Sequence, residues 1–553
     1  MSTECIPIAT LPHTTKLFRD FLAMGEGANS PVRAWYGAEP LGSAWMKPAA
    51  ASTHTAALAD ALERQSIAFG AGPATLANIA KLRAGARAVV TGQQVVLLGG
   101  PLLTLLKAAT AVARARQATA ETGIEHVPIF WLATEDHDLE EVDQVSLLGK
   151  SSVETLRLNA KSHAAPVGNI PFDASINALL DRASDLLHHA HLCDLLRECY
   201  ASHSANNAAP TFAGAFARLL TRLFASHGLI VMDAAGREFH ALGASTLRFA
   251  IEHAEELEAA LLARSVELEA TGYHAQVLVK RGASLLFLIS EVNGAQNRQA
   301  LHRLPDGSWQ AGAGNSAAPY TTAELLAILD SAPERLSPNV LLRPVFQDTV
   351  LPTTAYVGGP AEAAYFAQSA VIYQRILGRI TPVLPRLSAT LIEPAIGALM
   401  AQHEVSLSDA MLPVDELAQR LAARSLPIEA KRRLADAGSA LDEALTAAQE
   451  VLASLDPSLA RSAEVSASKM RYQMDRLRRL ASTTEMQREA SLRKHAEAIA
   501  LHLFPNAHLQ ERVLAGVWFL AAWESAHGES AGLIARLVEE AAVQSANHLV
   551  ITL

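Results

Sequence analysis

Cysteine is scarce. Cys5, Cys193 and Cys199 are the only three in 553 residues, and no two form a C-x-x-C pair. That excludes a disulfide framework as the source of stability and fits a reducing compartment. Cations are outnumbered: 46 Lys and Arg stand against 56 Asp and Glu, a formal net charge of -10. A general nucleic-acid binder needs a basic surface to displace counterions from phosphates, so that class is excluded, although a local basic patch is not. The stretch MSTECIPIATLPHTTKLFRDF has no apolar signal core. No uninterrupted run reaches the roughly 18 apolar residues of a membrane span. A cytoplasmic protein without membrane contact is expected. Aromatic residues make up only 5% of the chain, and its Ala- and Leu-rich composition favours helices.

The length exceeds one simple core and suggests roughly two to four domains. Ala86–Val90 reads as a short buried strand ending in a Gly turn. Gly99-Gly100 reads as a loop, Pro101 suits a first helical position, and the helix runs to about Thr122. Val127–Leu132 is the next strand. Strand, loop, helix, strand is a βαβ unit and implies a parallel sheet. A helix from Thr211 and a strand Leu229–Met232, ending at Asp233, repeat the pattern. Segments near 149–210 and 270–320 read as insertions, the second with turns at Asn293-Gly294 and Asp306-Gly307. Residues 1–400 thus read as a Rossmann-like α/β core, 401–503 as a helical coiled-coil domain, and 504–553 as a C-terminal segment packing back on the core.

The helical domain is read from spacing. Leu434, Gly438, Leu441, Leu445, Ala448, Leu452 and Leu455 alternate in steps of four and three. Asp456 is placed to cap and Pro457 to open a second helix, where Ala463, Ala467, Met470, Met474, Leu477 and Ala481 resume the repeat. Two heptad segments joined by a tight turn predict an antiparallel hairpin with a seam rich in small residues.

Ligands of parallel sheets bind at the carboxyl ends of the strands. Three segments converge there. The first is TGQQVVLLGGP, with Thr91, Gly92, Gln93, Gln94, Gly99 and Gly100. Glycines admit a close-lying ligand and a following helix N-terminus favours anions. Lys107 lies too far down the helix for a Walker A motif, but remains a candidate contact. The second is TEDHDLEEVD. Seven of the nine residues from Glu135 to Asp143 are Glu, Asp or His. Glu140, Glu141 and Asp143 suit a solvated helical start. Glu135, Asp136, His137 and Asp138 suit proton transfer or substrate contact better than metal binding, since no third ligand group is visible. The third supplies Arg343, Gln347 and Asp348, the turn Gly358-Gly359-Pro360, Glu362 and Arg386. Arginine can hold a carboxylate or phosphate in two-pronged fashion, or tie sheet to helices by salt bridges.

Together, VVTGQQVVLLGGPLLTLLKA, PIFWLATEDHDLEEVD, LLRPVFQDTVLPTTAYVGGPAEAAYF and LFPNAHLQERV resemble the bacillithiol biosynthesis cysteine-adding enzymes, a family of cysteine ligases. The resemblance spans nearly the whole chain. It implies a core like that of class I synthetases, with connecting-peptide insertions and a coiled coil that mediates homodimerisation. It also implies the joining of L-cysteine, through its carboxyl, to the glucosamine amine of glucosaminyl-malate. Amide formation from a free carboxylate requires activation, and ATP with Mg2+ is the expected source. The sequence departs from class I synthetases in having no HxGH signature. Ser466–Met470 (SASKM) only superficially matches their KMSKS loop, because it falls inside the heptad helix. A related mycothiol-pathway ligase selects its thiol with zinc, but no matching Cys/His set occurs here, so zinc is not expected. Two other readings stay open: a metal-dependent hydrolase using Glu135–Asp138, and a non-catalytic nucleotide-binding coiled-coil dimer.

Overall fold

The computed structural model describes residues 4–25, 30–47, 55–160, 165–201, 210–292, 295–312, 318–488, 490–543 and 545–553. The chain divides into two compact units. Residues 1–149, 154–389 and 511–549 form the first, and residues 150–153, 390–510 and 550–553 the second.

The elements of the first unit that frame the site are, in chain order, β1 (Arg87–Gln94), α1 (Leu103–Thr122), β2 (His126–Ala133), β3 (Ile230–Asp233), β4 (Ala283–Val292), β5 (Ala295–Arg303), α2 (Arg343–Val350), β6 (Thr353–Gly358), α3 (Pro360–Leu377) and β7 (Val383–Pro385). Five of the strands form one sheet in the order β7-β6-β1-β2-β3. Every neighbouring pair is parallel. Such strands are covered on both faces, which explains apolar runs rather than alternation. Val89 and Val90 of β1 and Val127, Ile129 and Phe130 of β2 are fully buried. The inner face of α1 is mostly alanine, and Ala108, Ala111, Ala115 and Ala118 let the helix lie close to the sheet. Gly123, with φ of 70°, ends the helix in the left-handed conformation.

In this unit two boundaries differ from the sequence expectation by two residues or more. β1 does not end at Val90 but runs on to Gln94. Gly92 suggests a turn, yet it is required within the strand: a Cβ there would lie 2.7 Å from the carbonyl oxygen of Trp131 on β2. Pro101 does not open α1, which begins at Leu103. Thr211, expected as the first residue of its helix, is instead its cap, with its side chain accepting the Gly214 N–H.

The crossovers decide where a ligand can sit. From β1 the chain crosses through α1 to β2, whereas from β6 it crosses through α3 to β7 on the other side. The connections diverge between β1 and β6, leaving a crevice at their carboxyl ends. A second, antiparallel sheet pairs β4 with β5 and adds Leu336–Pro338 and Trp309–Ala311 at its edges. Its Asp306-Gly307 turn is closed by Asp306 Oδ1, which accepts the Ser308 N–H at 2.9 Å. The Asn293-Gly294 pair lies outside the described residues.

The second unit is helical. Ile428–Leu455 and Leu459–Arg488 form a hairpin, and Val414–Ser425 packs against its second helix. Asp456 Oδ1 accepts the Ser458 N–H at 2.8 Å in the connecting turn, which also holds Pro457, so the second helix opens at Leu459 and not at the proline. Arg471 pairs with Asp442 across the hairpin at 2.7 Å. Ala463 and Ala467 are buried, but Met470 and Leu477 are 50% and 55% exposed, so the heptad seam is only partly covered within the chain. SASKM lies inside the second helix. Among the described residues, no helix is long and apolar enough to cross a membrane.

Candidate active site

A cavity of about 660 Å³ opens at the crevice between β1 and β6. This is the size range of small-molecule sites. Its floor is made where α1 and α3 approach each other. Lys107 of α1 donates to the Gly92 carbonyl at 2.9 Å and to Gln93 Oε1 at 2.8 Å. It also pairs with Glu362 of α3 at 2.8 Å. Glu362 is the third residue of its helix and accepts the Gly359 N–H at 2.7 Å, while its other oxygen accepts the Tyr356 hydroxyl at 2.7 Å. Burial works against the Glu362 carboxylate, but Lys107, Gly359 and Tyr356 outweigh it and hold its pKa below the ordinary value. Burial draws the Lys107 ammonium down, with Glu362 opposing.

One wall is acidic. Glu135, Asp136 and His137 follow the carboxyl end of β2 and line the cavity. Gln94 Nε2 donates to Asp136 Oδ2 at 3.0 Å and to Glu141 Oε2 at 2.6 Å. His137 Nδ1 is 3.6 Å from Asp136 Oδ1, and the His137 backbone N–H donates to that oxygen at 2.8 Å. Behind Glu135 stands His240, fully buried, with Nε2 3.0 Å from Glu135 Oε1. Burial disfavours the His240 cation, but Glu135 and the Leu336 and Pro333 carbonyls raise its pKa above the ordinary value. Arg298 reaches this wall from β5. Its Nε donates to Ser337 Oγ at 2.9 Å and a terminal nitrogen to the Pro338 carbonyl at 3.1 Å. Its guanidinium lies 3.7 Å from the centre of the Phe287 ring and 3.8 Å from Asp136 Oδ1.

Guanidinium groups line the rest. Arg343, first residue of α2, donates to the Tyr365 hydroxyl at 2.9 Å and to Gln347 Oε1 at 3.2 Å. Arg386 pairs with buried Glu511 at 2.5 Å and donates to the Leu387 carbonyl at 2.8 Å. Glu511 also accepts the Ala389 N–H at 3.0 Å. Burial opposes its charge, yet Arg386 and these donors hold its pKa at about 2. Arg512, the next residue, faces the cavity.

The structure therefore gathers Gly92, Gln93, Gln94, Lys107, Glu135, Asp136, His137, Arg343, Gly359, Glu362 and Arg386 around one space. The other candidates do not line it. Thr91 is inside β1 and donates to the Val357 carbonyl at 2.9 Å, which ties neighbouring strands. Gly99 and Gly100 form a buried turn with φ of 82° and 72°, and a Cβ on Gly99 would meet Leu219 at 3.1 Å. Asp138 is exposed ahead of a short helix. Gln347 and Asp348 are buried behind Arg343. Gln347 donates to Asp348 at 2.9 Å, and Asp348 accepts the Tyr373 hydroxyl at 2.5 Å. Gly358 ends β6, where its carbonyl accepts the Arg386 N–H at 2.9 Å. Sequence reasoning missed Arg298, Arg512 and His240. The alternation Arg298, Ala300, His302 along β5 was the available sign that this face meets the cavity. Among the described residues, no group of three or more His, Cys, Asp and Glu side chains is arranged to hold a metal ion. Cys193 and Cys199 are buried, and burial pushes the Cys199 thiol up to about 11.

Fold and site together define a Rossmann-like α/β protein with a two-signed ligand cavity at the switch point of its sheet, joined to a helical coiled-coil domain. The chain belongs to the bacillithiol biosynthesis BshC family, whose N-terminal Rossmann-like domain matches residues 1–387 and whose C-terminal coiled-coil domain matches residues 389–553. It is similar to a protein of Koribacter versatilis, 43% identical over 532 residues that cover 94% of this chain and 95% of that one. A protein of Solibacter usitatus is 34% identical over 558 residues, covering 100% and 99%. One of Symbiobacterium thermophilum is 30% identical over 504 residues, covering 88% and 87%. All three carry the name "Putative cysteine ligase BshC".

Proposed function

We propose that this chain is a carbon–nitrogen ligase of bacillithiol biosynthesis, joining the carboxyl of L-cysteine to the glucosamine amine of glucosaminyl-malate. The observation that carries the reading is the two-signed cavity at the carboxyl edge of the sheet, with carboxylates and imidazole on one side and guanidiniums on the other. Family membership and the names of the relatives support the same reaction.

The amine of glucosamine arrives as an ammonium and must lose a proton before its nitrogen can attack. Glu135 and Asp136 draw the ammonium in, and His137, held against Asp136, accepts the proton. MgATP, as a substrate, supplies the activation of the cysteine carboxyl. The new C–N bond forms as the C–O bond to the activating group breaks. Arg343 stabilises the negative charge that develops or arrives there. Lys107 and Glu362 fix the floor, keeping the Gly92 carbonyl and the Gln93 amide in place. The Gly99-Gly100 turn has no part, since it does not face the cavity. The reaction belongs in the cytoplasm, with the chain as a homodimer through its helical hairpin. Val451, Leu455, Leu459, Val465, Leu477 and Leu480 expose apolar surface there.

The test is a mass-spectrometric assay of the purified full chain with cysteine, glucosaminyl-malate, ATP and magnesium, each omitted in turn. Bacillithiol should form only in the complete mixture, with one nucleotide cleaved per product. Absence of product from folded protein and intact substrates would overturn the reading.

A further inference from the structure

The charges around the cavity floor do not balance. Four cations line this region: Lys107, Arg343, Arg386 and Arg512. Two are compensated within the protein. Lys107 pairs with Glu362 at 2.8 Å and Arg386 with Glu511 at 2.5 Å. The first pair sums to zero wherever its shared proton sits. Arg343 is half-buried, and its side-chain hydrogen bonds go to the neutral Tyr365 hydroxyl and Gln347 amide. Arg512 is exposed and makes no hydrogen bond or ion pair among the described residues, and its neighbour Glu511 is already engaged by Arg386, Ser388 and the Ala389 N–H. Arg343 and Arg512 line the same cavity as Glu362.

Two guanidiniums are thus left without counter-charge in a cavity whose nearby carboxylates are committed. Arg343 is partly withdrawn from water without a counter-charge, Arg512 is exposed at the cavity's edge with its fork unengaged, and a guanidinium fork matches a carboxylate or phosphoryl group in two-pronged geometry. We infer that Arg512, together with Arg343, receives a substrate group carrying two negative charges, either a dicarboxylate or a phosphoryl group. Arg386, the more obvious candidate in the sequence, is a structural counter-ion to Glu511. The inference rests on the ligase reading for the identity of the substrates, and on charge balance for the residue.

The test is calorimetric titration of the full chain and its Arg512→Gln variant with two probes, glucosaminyl-malate for the dicarboxylate and ADP for the phosphoryl source. Thermal unfolding serves as the fold control. Loss of one two-pronged charged contact should weaken one probe by about 10- to 100-fold and flatten its salt dependence. Selective loss of glucosaminyl-malate assigns the dicarboxylate, and selective loss of ADP assigns the phosphoryl group. Unchanged affinity for both overturns the inference. If Arg512→Gln lowers the melting midpoint, Arg512→Lys carries the test. It keeps the charge but loses the fork, so it should weaken the same probe severalfold, and wild-type affinity would overturn the inference. Turnover is measured separately. Arg512-dependent binding in a chain that makes no bacillithiol would sink the ligase reading alone. Arg512-independent binding in an active ligase would sink this inference alone.

Discussion

Replacing Glu511 by Gln isolates the buried ion pair that holds the Arg386 wall. The carboxylate is almost fully buried and accepts from Arg386, Ser388 and the Ala389 N–H. Its pKa falls from an ordinary 4.5 to about 2, burial opposing and Arg386 prevailing. At about 1.4 kcal/mol per pH unit, that difference is worth about 3 kcal/mol. The sign follows from linkage. A depressed carboxylate pKa contributes stability that is complete above the unfolded value and is lost as pH falls toward the folded one. Most of the contribution, about 2 kcal/mol, is gone by pH 3. At pH 7 the variant also leaves Arg386 buried without its counter-charge, so Glu511→Gln should cost about 3–5 kcal/mol. Denaturant unfolding followed by tryptophan fluorescence, at pH 7 and pH 3, reads both effects. Wild type should exceed the variant at pH 7 and lose about 2 kcal/mol of that advantage at pH 3. A difference below about 1 kcal/mol at pH 7, or one that is the same at both pH values, would refute the reasoning.

Other expectations are equally direct. His137→Ala should leave the fold intact and lower turnover by about 10²- to 10⁴-fold, the usual contribution of a positioned proton acceptor; full residual activity in the ligation assay would remove His137 from the mechanism. Gly92→Ala places a Cβ 2.7 Å from the Trp131 carbonyl oxygen. It should destabilise by about 1–3 kcal/mol through overpacking, measured as a lower melting midpoint, and an unchanged midpoint would show that the strands separate freely.

Much of this architecture is written locally. Apolar runs followed by turn residues mark β2 and β3, and the titratable cluster after Leu132 marks where β2 opens onto the cavity. The heptad spacing marks the hairpin, but not how far its seam is covered, since Met470 and Leu477 need surface that two helices do not supply. Gly92 misleads because its role depends on Trp131 across the sheet, not on its own neighbours. Gly99 misleads for the same reason, since Leu219 packs where a ligand was expected, whereas Gly100 is closed in by its own chain neighbours Val96 and Thr104. Arg298 and Arg512 escape notice because each reaches the cavity from a distant part of the chain. Arg298 lies 161 residues from its neighbour His137. Whether an arginine is a free cation or a committed one depends on its partner, and Glu511 claims Arg386 from 125 residues away.

The most direct test of the central claim follows oxygen. Cysteine carrying ¹⁸O in both carboxyl positions is supplied with glucosaminyl-malate and MgATP, and the nucleotide products and bacillithiol are weighed by mass spectrometry. The account predicts one labelled oxygen in the AMP or phosphate released and one retained in the new amide. Bacillithiol formed with no label in any nucleotide or phosphate product would contradict activation of the cysteine carboxyl.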